Sequence, residues 1–157
     1  MDPVAHLGVI LTCLLLSAFF SSSETALLRL REDEVERDVQ AARGPSALAA
    51  QRLLRSTSRL LVTILLGNNV VNILAASVAS ALAVFYLGER VGITVSTIAL
   101  TVIVLIFCEV MPKALAAHHP QRVSYLGALP LYLLHQALRH VHAVFDRFID
   151  PLVESVT

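Results

Sequence analysis

Three apolar stretches, at roughly residues 4–28, 60–87 and 93–111, constrain this chain more than any other feature. A helix rises about 1.5 Å per residue, so about 20 mostly apolar residues cross the hydrocarbon of a bilayer. Each stretch is long enough to do so. The second and third are separated only by "GERVG" at 88–92, which makes those two helices antiparallel neighbours. The first has no basic n-region and no convincing small-residue cleavage site, so it reads as a span rather than a leader peptide. Composition agrees: 56% of the 157 residues are hydrophobic and 15% charged, far more apolar than a soluble domain of this size requires.

In a membrane chain the position of the charges says more than their sum, which is zero here. Seven of the twelve Lys and Arg lie between Arg29 and Arg59, four follow the third span, and Arg90 alone falls on the other side. The positive-inside rule places the N-terminus and the 88–92 turn outside, with 29–59 and 113–157 in the cytoplasm. Nothing in this distribution suggests nucleic acid as a partner. Segment 29–59 opens with a mixed charge run, breaks at Gly44-Pro45 and resumes with Leu48, Leu53 and Leu54. It reads as a helical hairpin on the membrane surface, its charge run a solvated face. After Pro120, Leu131, Leu134, Leu138, Val141, Phe145, Phe148, Ile149 and Leu152 recur at helical spacing among Arg139, His140, Asp146 and Arg147. That pattern predicts an amphipathic juxtamembrane helix, in the interface or packed under the bundle. The expected fold is thus an all-α membrane protein of three transmembrane helices, a cytoplasmic helical hairpin and a C-terminal amphipathic helix.

Function is sought at polar groups inside the spans, because an ionisable side chain at membrane depth costs several kcal/mol. Each span holds one polar cluster: Ser21 to Glu24 in "FFSSSETALL", Gly67, Asn68, Asn69 and Asn72 in "LLGNNVVN", and Glu109 in "CEVMPK". Ser21 to Glu24 lie five to eight residues from Arg29, Asn68 and Asn69 nine and ten from Arg59, and Glu109 four from Lys113. At about 1.5 Å per residue the clusters share one layer, on the order of 6–15 Å above the inner basic belt. Hydroxyl, amide and carboxylate oxygens are hard donors, suited to Mg²⁺, Ca²⁺ or Na⁺ rather than zinc or copper. Asn68 and Asn72 share a helical face, whereas Asn69 is turned about 100° from Asn68. Either the helix is distorted near Gly67 or only some of the asparagines are ligands. Glu24 either lines the inner mouth or pairs with Arg59 or Lys113.

Plainer explanations suffice elsewhere. Ser77, Ser80 and the alanines at 75, 76, 79, 81 and 83 are ordinary helix-packing positions and a potential dimer face. Cys13 and Cys108 sit in apolar runs as buried thiols. The histidines at 118, 119, 135, 140 and 142 lack zinc-ligand spacing and read as surface residues. Serines with Lys113 do not make a hydrolase without a catalytic constellation, so no enzyme is expected.

The segments "FFSSSETALLRL", "LLVTILLGNNVVNILAAS" and "IFCEVMPKALAAHHPQRV" resemble, in order and spacing, the three signature segments of the transmembrane domain of the CNNM/CorC magnesium transporters. The resemblance covers nearly the whole chain, 1–157, as one such domain. It implies three spans with a juxtamembrane helix, a homodimer in membrane lipid, and export of Mg²⁺, with Na⁺ as the exchanged ion. By motif it implies an ion site of Ser21, Ser23, Gly67, Asn68, Asn69, Asn72 and Glu109. Ser22 and Cys108 stand where many relatives have glycine. It further implies cytoplasmic nucleotide-sensing CBS modules in a full-length protein, for which the segment past Pro120 has no room. The alternative function is a Mg²⁺-sensing membrane scaffold that transports nothing.

Overall fold

The structure, a computed structural model, describes residues 2–144 and residue 147. Among these it is all helical: α1 (Pro3–Arg29), α2 (Glu32–Gln40), α3 (Pro45–Leu54), α4 (Thr57–Leu87), α5 (Glu89–Ile103), a π-helical segment Val104–Val110, α6 (Met111–His118) and α7 (Pro120–Ala137). Local sequence explains the boundaries. Asp2 caps α1 by accepting from the Val4 amide at 3.2 Å, with Pro3 in the first turn, where its missing N–H costs nothing. Three acidic residues, Glu32, Asp33 and Glu34, open α2 and suit the positive end of its dipole. Gly44, at φ +99°, and Pro45 turn the chain from α2 into α3.

Among the described residues, three helices are long and apolar enough to cross a membrane: Pro3–Arg29, Thr57–Leu87 and the continuous Glu89–His118. Only 22%, 11% and 11% of their apolar windows are buried within the protein, which leaves Leu11, Leu65, Ile73 and Phe107 among the side chains facing outward for lipid to cover. The third helix is longer at both ends than the run 93–111 suggests. The reason is Gly88, whose φ of +78° ends α4, so α5 starts at the next residue and the link shrinks from five residues to one. Gly92 then lies so close to α4 that a Cβ there would stand 2.6 Å from the Val84 backbone.

The expected hairpin is present as α2 and α3, but it does not lie loose on a surface. Leu27 of α1, Val35, Ala50, Leu53, Leu60 of α4 and Leu131 of α7 form one buried cluster that ties both short helices and α7 to the ends of two spans. Leu131 is fully buried, Leu134 and Leu138 partly so and Val141 exposed, so α7 packs under the bundle. Phe145, Asp146, Phe148, Ile149 and Leu152 of the expected amphipathic pattern lie outside the described residues. The charge run of α2 is not wholly solvated either. Asp38 is buried and accepts from Tyr125 Oη at 2.7 Å, from Gln121 Nε2 at 2.7 Å and from Arg43 at 3.2 Å. The tyrosine hydrogen bond foremost, with Gln121 and Arg43, holds this carboxyl below the usual range against the opposing effect of burial. Burial, reinforced by the bond to Asp38, pushes the Tyr125 hydroxyl up to about 12.

Candidate functional site

A proline inside a span lacks the amide that would bond the preceding turn, and its ring crowds the carbonyl four residues back. Pro112 does this at Cys108. The helix answers by widening over Val104–Val110, where the Met111 amide reaches Ile106 O, five residues back. A π-segment of this kind adds a residue to a turn and re-aims side chains, and such segments are common at functional sites. Here it carries Glu109. Of the two alternatives for α4, the helix is not distorted near Gly67 but runs through it unbroken, which leaves only a subset of its asparagines able to face one point; the irregularity lies in the third span, before Pro112.

The re-aimed carboxylate meets α4. Asn68 Nδ2 donates to Glu109 Oε1 at 3.2 Å, while Asn68 Oδ1 accepts from Ser17 Oγ at 2.9 Å and, more distantly, from Asn72 Nδ2 at 3.5 Å. Because an ionised carboxylate only accepts, it fixes which end of the Asn68 amide faces it. Glu109 Oε2 takes the Lys113 ammonium at 3.3 Å, and the same ammonium reaches Glu24 Oε2 at 3.5 Å. Of the roles open to Glu24, the pair with Lys113 is the one observed. Cys108, buried as expected, donates its thiol to the Leu14 carbonyl at 3.4 Å and so holds the π-segment against α1.

Ser21 Oγ and Asn72 Oδ1 are buried without a hydrogen-bond partner among the described residues, and the same holds of Ser23 Oγ and, on α7, of Ser124 Oγ. Ser21 lies one turn after Ser17 on the same face of α1, toward α4. An unsatisfied buried polar atom costs about 1–3 kcal/mol, so the oxygens of Ser21 and Asn72 favour a ligand that would take their lone pairs. Gly67 serves packing at this level: a Cβ there would stand 2.5 Å from the Phe20 ring. A cavity of about 380 Å³ between α4 and α5, lined in part by Ser80, Ser96, Thr97 and Thr101, reaches Glu109.

The structure thus brings together Asn68, Asn72 and Glu109, with Ser21 on the facing side of α1. It does not bring Ser23 or Asn69 to the same point. Ser23 Oγ points at α7, 2.7 Å from where a Cβ on Gly127 would be, and Asn69 is exposed on the outer side of α4. Ser17 escaped the sequence reading, although its place four residues before Ser21 was a signal for it. The histidines are not all at the surface. His142 is buried and His135 half-buried, and both rings meet Thr63 Oγ1, at 2.8 and 2.9 Å. A hydroxyl buried in α4 gives these imidazoles a partner that sequence spacing does not reveal.

Residues 8–156 match the family model described as the Cyclin M transmembrane N-terminal domain, CNNM. This chain belongs to the CNNM family. The CNNM domain is 37% identical over 122 residues to the UPF0053 inner membrane protein YfjD of Escherichia coli, covering 76% of this chain and 28% of that protein. It is 38% identical over 127 residues to a UPF0053 protein of Haemophilus influenzae, covering 80% and 30%. A DUF21 domain-containing chloroplastic protein of Arabidopsis thaliana matches at 37% over 126 residues, covering 79% and 19%. The chain spans less than a third of the length of these relatives. Family and helices together make this CNNM domain a membrane protein.

Proposed function

We propose that this CNNM domain carries Mg²⁺ across the membrane through the Asn68–Glu109 layer, as an exporter coupled to Na⁺, with the N-terminus outside and α2, α3 and α7 in the cytoplasm. The observation that carries the reading is the Glu109 carboxylate, turned by a π-segment onto the Asn68 amide beside two buried oxygens without partners. Glu109, Asn68, Asn72 and Ser21 supply hard oxygens of the kind Mg²⁺ takes at about 2.0–2.1 Å. Taking the ion requires the Asn68 amide to turn its oxygen toward Glu109 and the Lys113 ammonium to leave Oε2. Ser23 and Asn69, which the family resemblance implies, would join the shell only after α1 and α4 shift. Ser23 meanwhile seats α1 on α7.

The cavity in which Ser80, Ser96, Thr97 and Thr101 stand among apolar Ala76, Leu100, Val104 and Leu105 lies between Glu109 and the Gly88 end of the bundle, a mostly apolar space through which the ion would have to be released on that side. The basic and acidic groups at Lys113 and Glu24 face the other way. Opening on alternate sides of one dehydrating site is how such a layer would release an ion that has lost its waters. Na⁺ would favour the released state by holding some of the same oxygens with less charge, as differential affinity requires. The domain performs no bond chemistry in this reading. It would act as a homodimer and within a longer protein carrying CBS modules.

Glu109→Gln is expected to fold and to lose Mg²⁺ binding by calorimetry and Mg²⁺ efflux from proteoliposomes. Efflux in the native protein should quicken with an inward Na⁺ gradient. Equal efflux with and without the gradient would reject the coupling. Native Mg²⁺ affinity with no flux at all would favour the sensing scaffold.

A further inference from the structure

At the end of the bundle remote from Gly88, a second cavity of about 410 Å³ opens between α3, the start of α4, α7 and the helical residues 139–144. Its described lining includes the guanidiniums of Arg52, Arg59 and Arg139 and the imidazoles of His135 and His142, and no carboxylate. Three guanidiniums, from α3, α4 and the segment after α7, line one concave space. Arg52 is oriented there, donating to Tyr132 Oη at 3.2 Å with its guanidinium carbon 5.7 Å from the Tyr132 ring centre. Arg139 is exposed and lines the same cavity. Burial first, then the positive fields of His142 and Arg59, hold the His135 imidazole below the usual histidine range.

We propose that this cavity binds the phosphate of an anionic lipid headgroup, with Arg52 and Arg139 as the phosphate-binding residues. Planar guanidiniums suit phosphate oxygens because two N–H donors can reach two acceptors at once. The position favours a lipid over a soluble anion. Arg59 is in the first turn of a transmembrane helix, and Leu61, Leu65 and Leu66 directly beyond it are exposed, so acyl chains can lie on α4 while the headgroup sits in the cavity. Basic pockets beside span ends are a recurrent place for acidic headgroups. The bound lipid would clamp α3 to α7 and the start of α4, a site separate from the Asn68–Glu109 layer.

The test titrates the full chain in detergent with dihexanoyl phosphatidylglycerol, dihexanoyl phosphatidylcholine and inorganic phosphate, reading bound lipid by native mass spectrometry and the melting temperature alongside. The glycerol lipid should bind at least about tenfold more tightly than the choline lipid. Arg139→Gln, whose only hydrogen bond among the described residues is to His140, should weaken it about fivefold, and Arg52→Gln with Arg139→Gln tenfold or more. Arg55→Gln, in a different cavity beside Glu32 and Glu36, should change nothing. Equal binding of the two lipids, or unchanged binding in Arg139→Gln, overturns the site. Phosphate binding as tight as that of the glycerol lipid overturns the lipid as its source.

Discussion

Replacing Gly67 with alanine probes the closest approach between the first two spans. A Cβ built on Gly67 would stand 2.5, 2.7 and 2.9 Å from Cζ, Cε1 and Cε2 of Phe20. Carbon atoms in contact sit about 3.5–4.0 Å apart, so the ring must retreat by about 1 Å. It has little room: Phe20 is 6% exposed and the Phe19 ring meets it edge-on at 5.5 Å between centres. Overpacking of this kind costs about 1–3 kcal/mol, which at about 2–4 °C per kcal/mol lowers the melting temperature by roughly 2–12 °C. Cys13 and Cys108 are both buried and free, so a thiol-reactive dye reports the melt directly. Phe20→Leu removes the offending atoms. The double variant should therefore be more stable than the sum of the two single changes predicts, with a coupling of about 1 kcal/mol or more. Alanine keeps the Gly67 carbonyl, so any loss of Mg²⁺ affinity in Gly67→Ala should return in the double variant. A native melt for Gly67→Ala, or strictly additive stabilities, would show that the glycine does not serve close packing against Phe20.

Three further outcomes follow from the same geometry. Lys113→Gln removes a cation 3.3 Å from Glu109, an attraction of about 1–5 kcal/mol between the water-like and intermediate dielectric limits. With both groups partly exposed, the lower end applies, and Mg²⁺ affinity by calorimetry should rise about tenfold; a fall would mean that Lys113 orders the site instead of competing for it. Asn72→Ala should weaken Mg²⁺ binding and Asn69→Ala should leave it near native, and the reverse ranking would require α4 to rotate on binding. Asp38 has a lowered folded pKa, so its contribution to stability is present above about 3.8 and is lost as pH falls through the folded value. Tyr125, raised to about 12, contributes below 10.0 and loses that contribution as pH climbs from there to about 12. Melting curves against pH should show both steps, and Tyr125→Phe should remove the alkaline one and shrink the acidic one.

Much of the architecture could be read from residue order, because the bilayer limits what an apolar run can do. The runs at 4–28 and 60–87 are α1 and α4 to within a few residues, and the Gly44-Pro45 break is the turn between α2 and α3. The candidate layer was legible for a related reason: Asn68 and Glu109 are costly where they stand, and counting from basic flanks puts Asn68, Asn69 and Glu109 near one depth, with Asn72 one turn beyond. Counting along a helix gives depth but not azimuth. That is why Ser23 was grouped with Ser21, although the structure turns it to Gly127, and why Ser17 was passed over, although it bonds Asn68.

The sequence by itself determined that the chain is helical, that it crosses a membrane three times and that hard oxygen donors share a level within it. These follow from local properties: hydropathy, helical rise and the donor chemistry of single side chains. Only the tertiary structure decided that the helical irregularity falls at Val104–Val110 rather than Gly67. It also decided that Lys113 bridges Glu109 and Glu24, and that α3 and α7 pack under the spans with Asp38 buried between Tyr125, Gln121 and Arg43. Each depends on where helices distant in sequence meet. Pro112 removes a hydrogen bond wherever it sits, but only the helices facing it determine whether the strain ends as a kink or as a turn that aims a carboxylate at an amide.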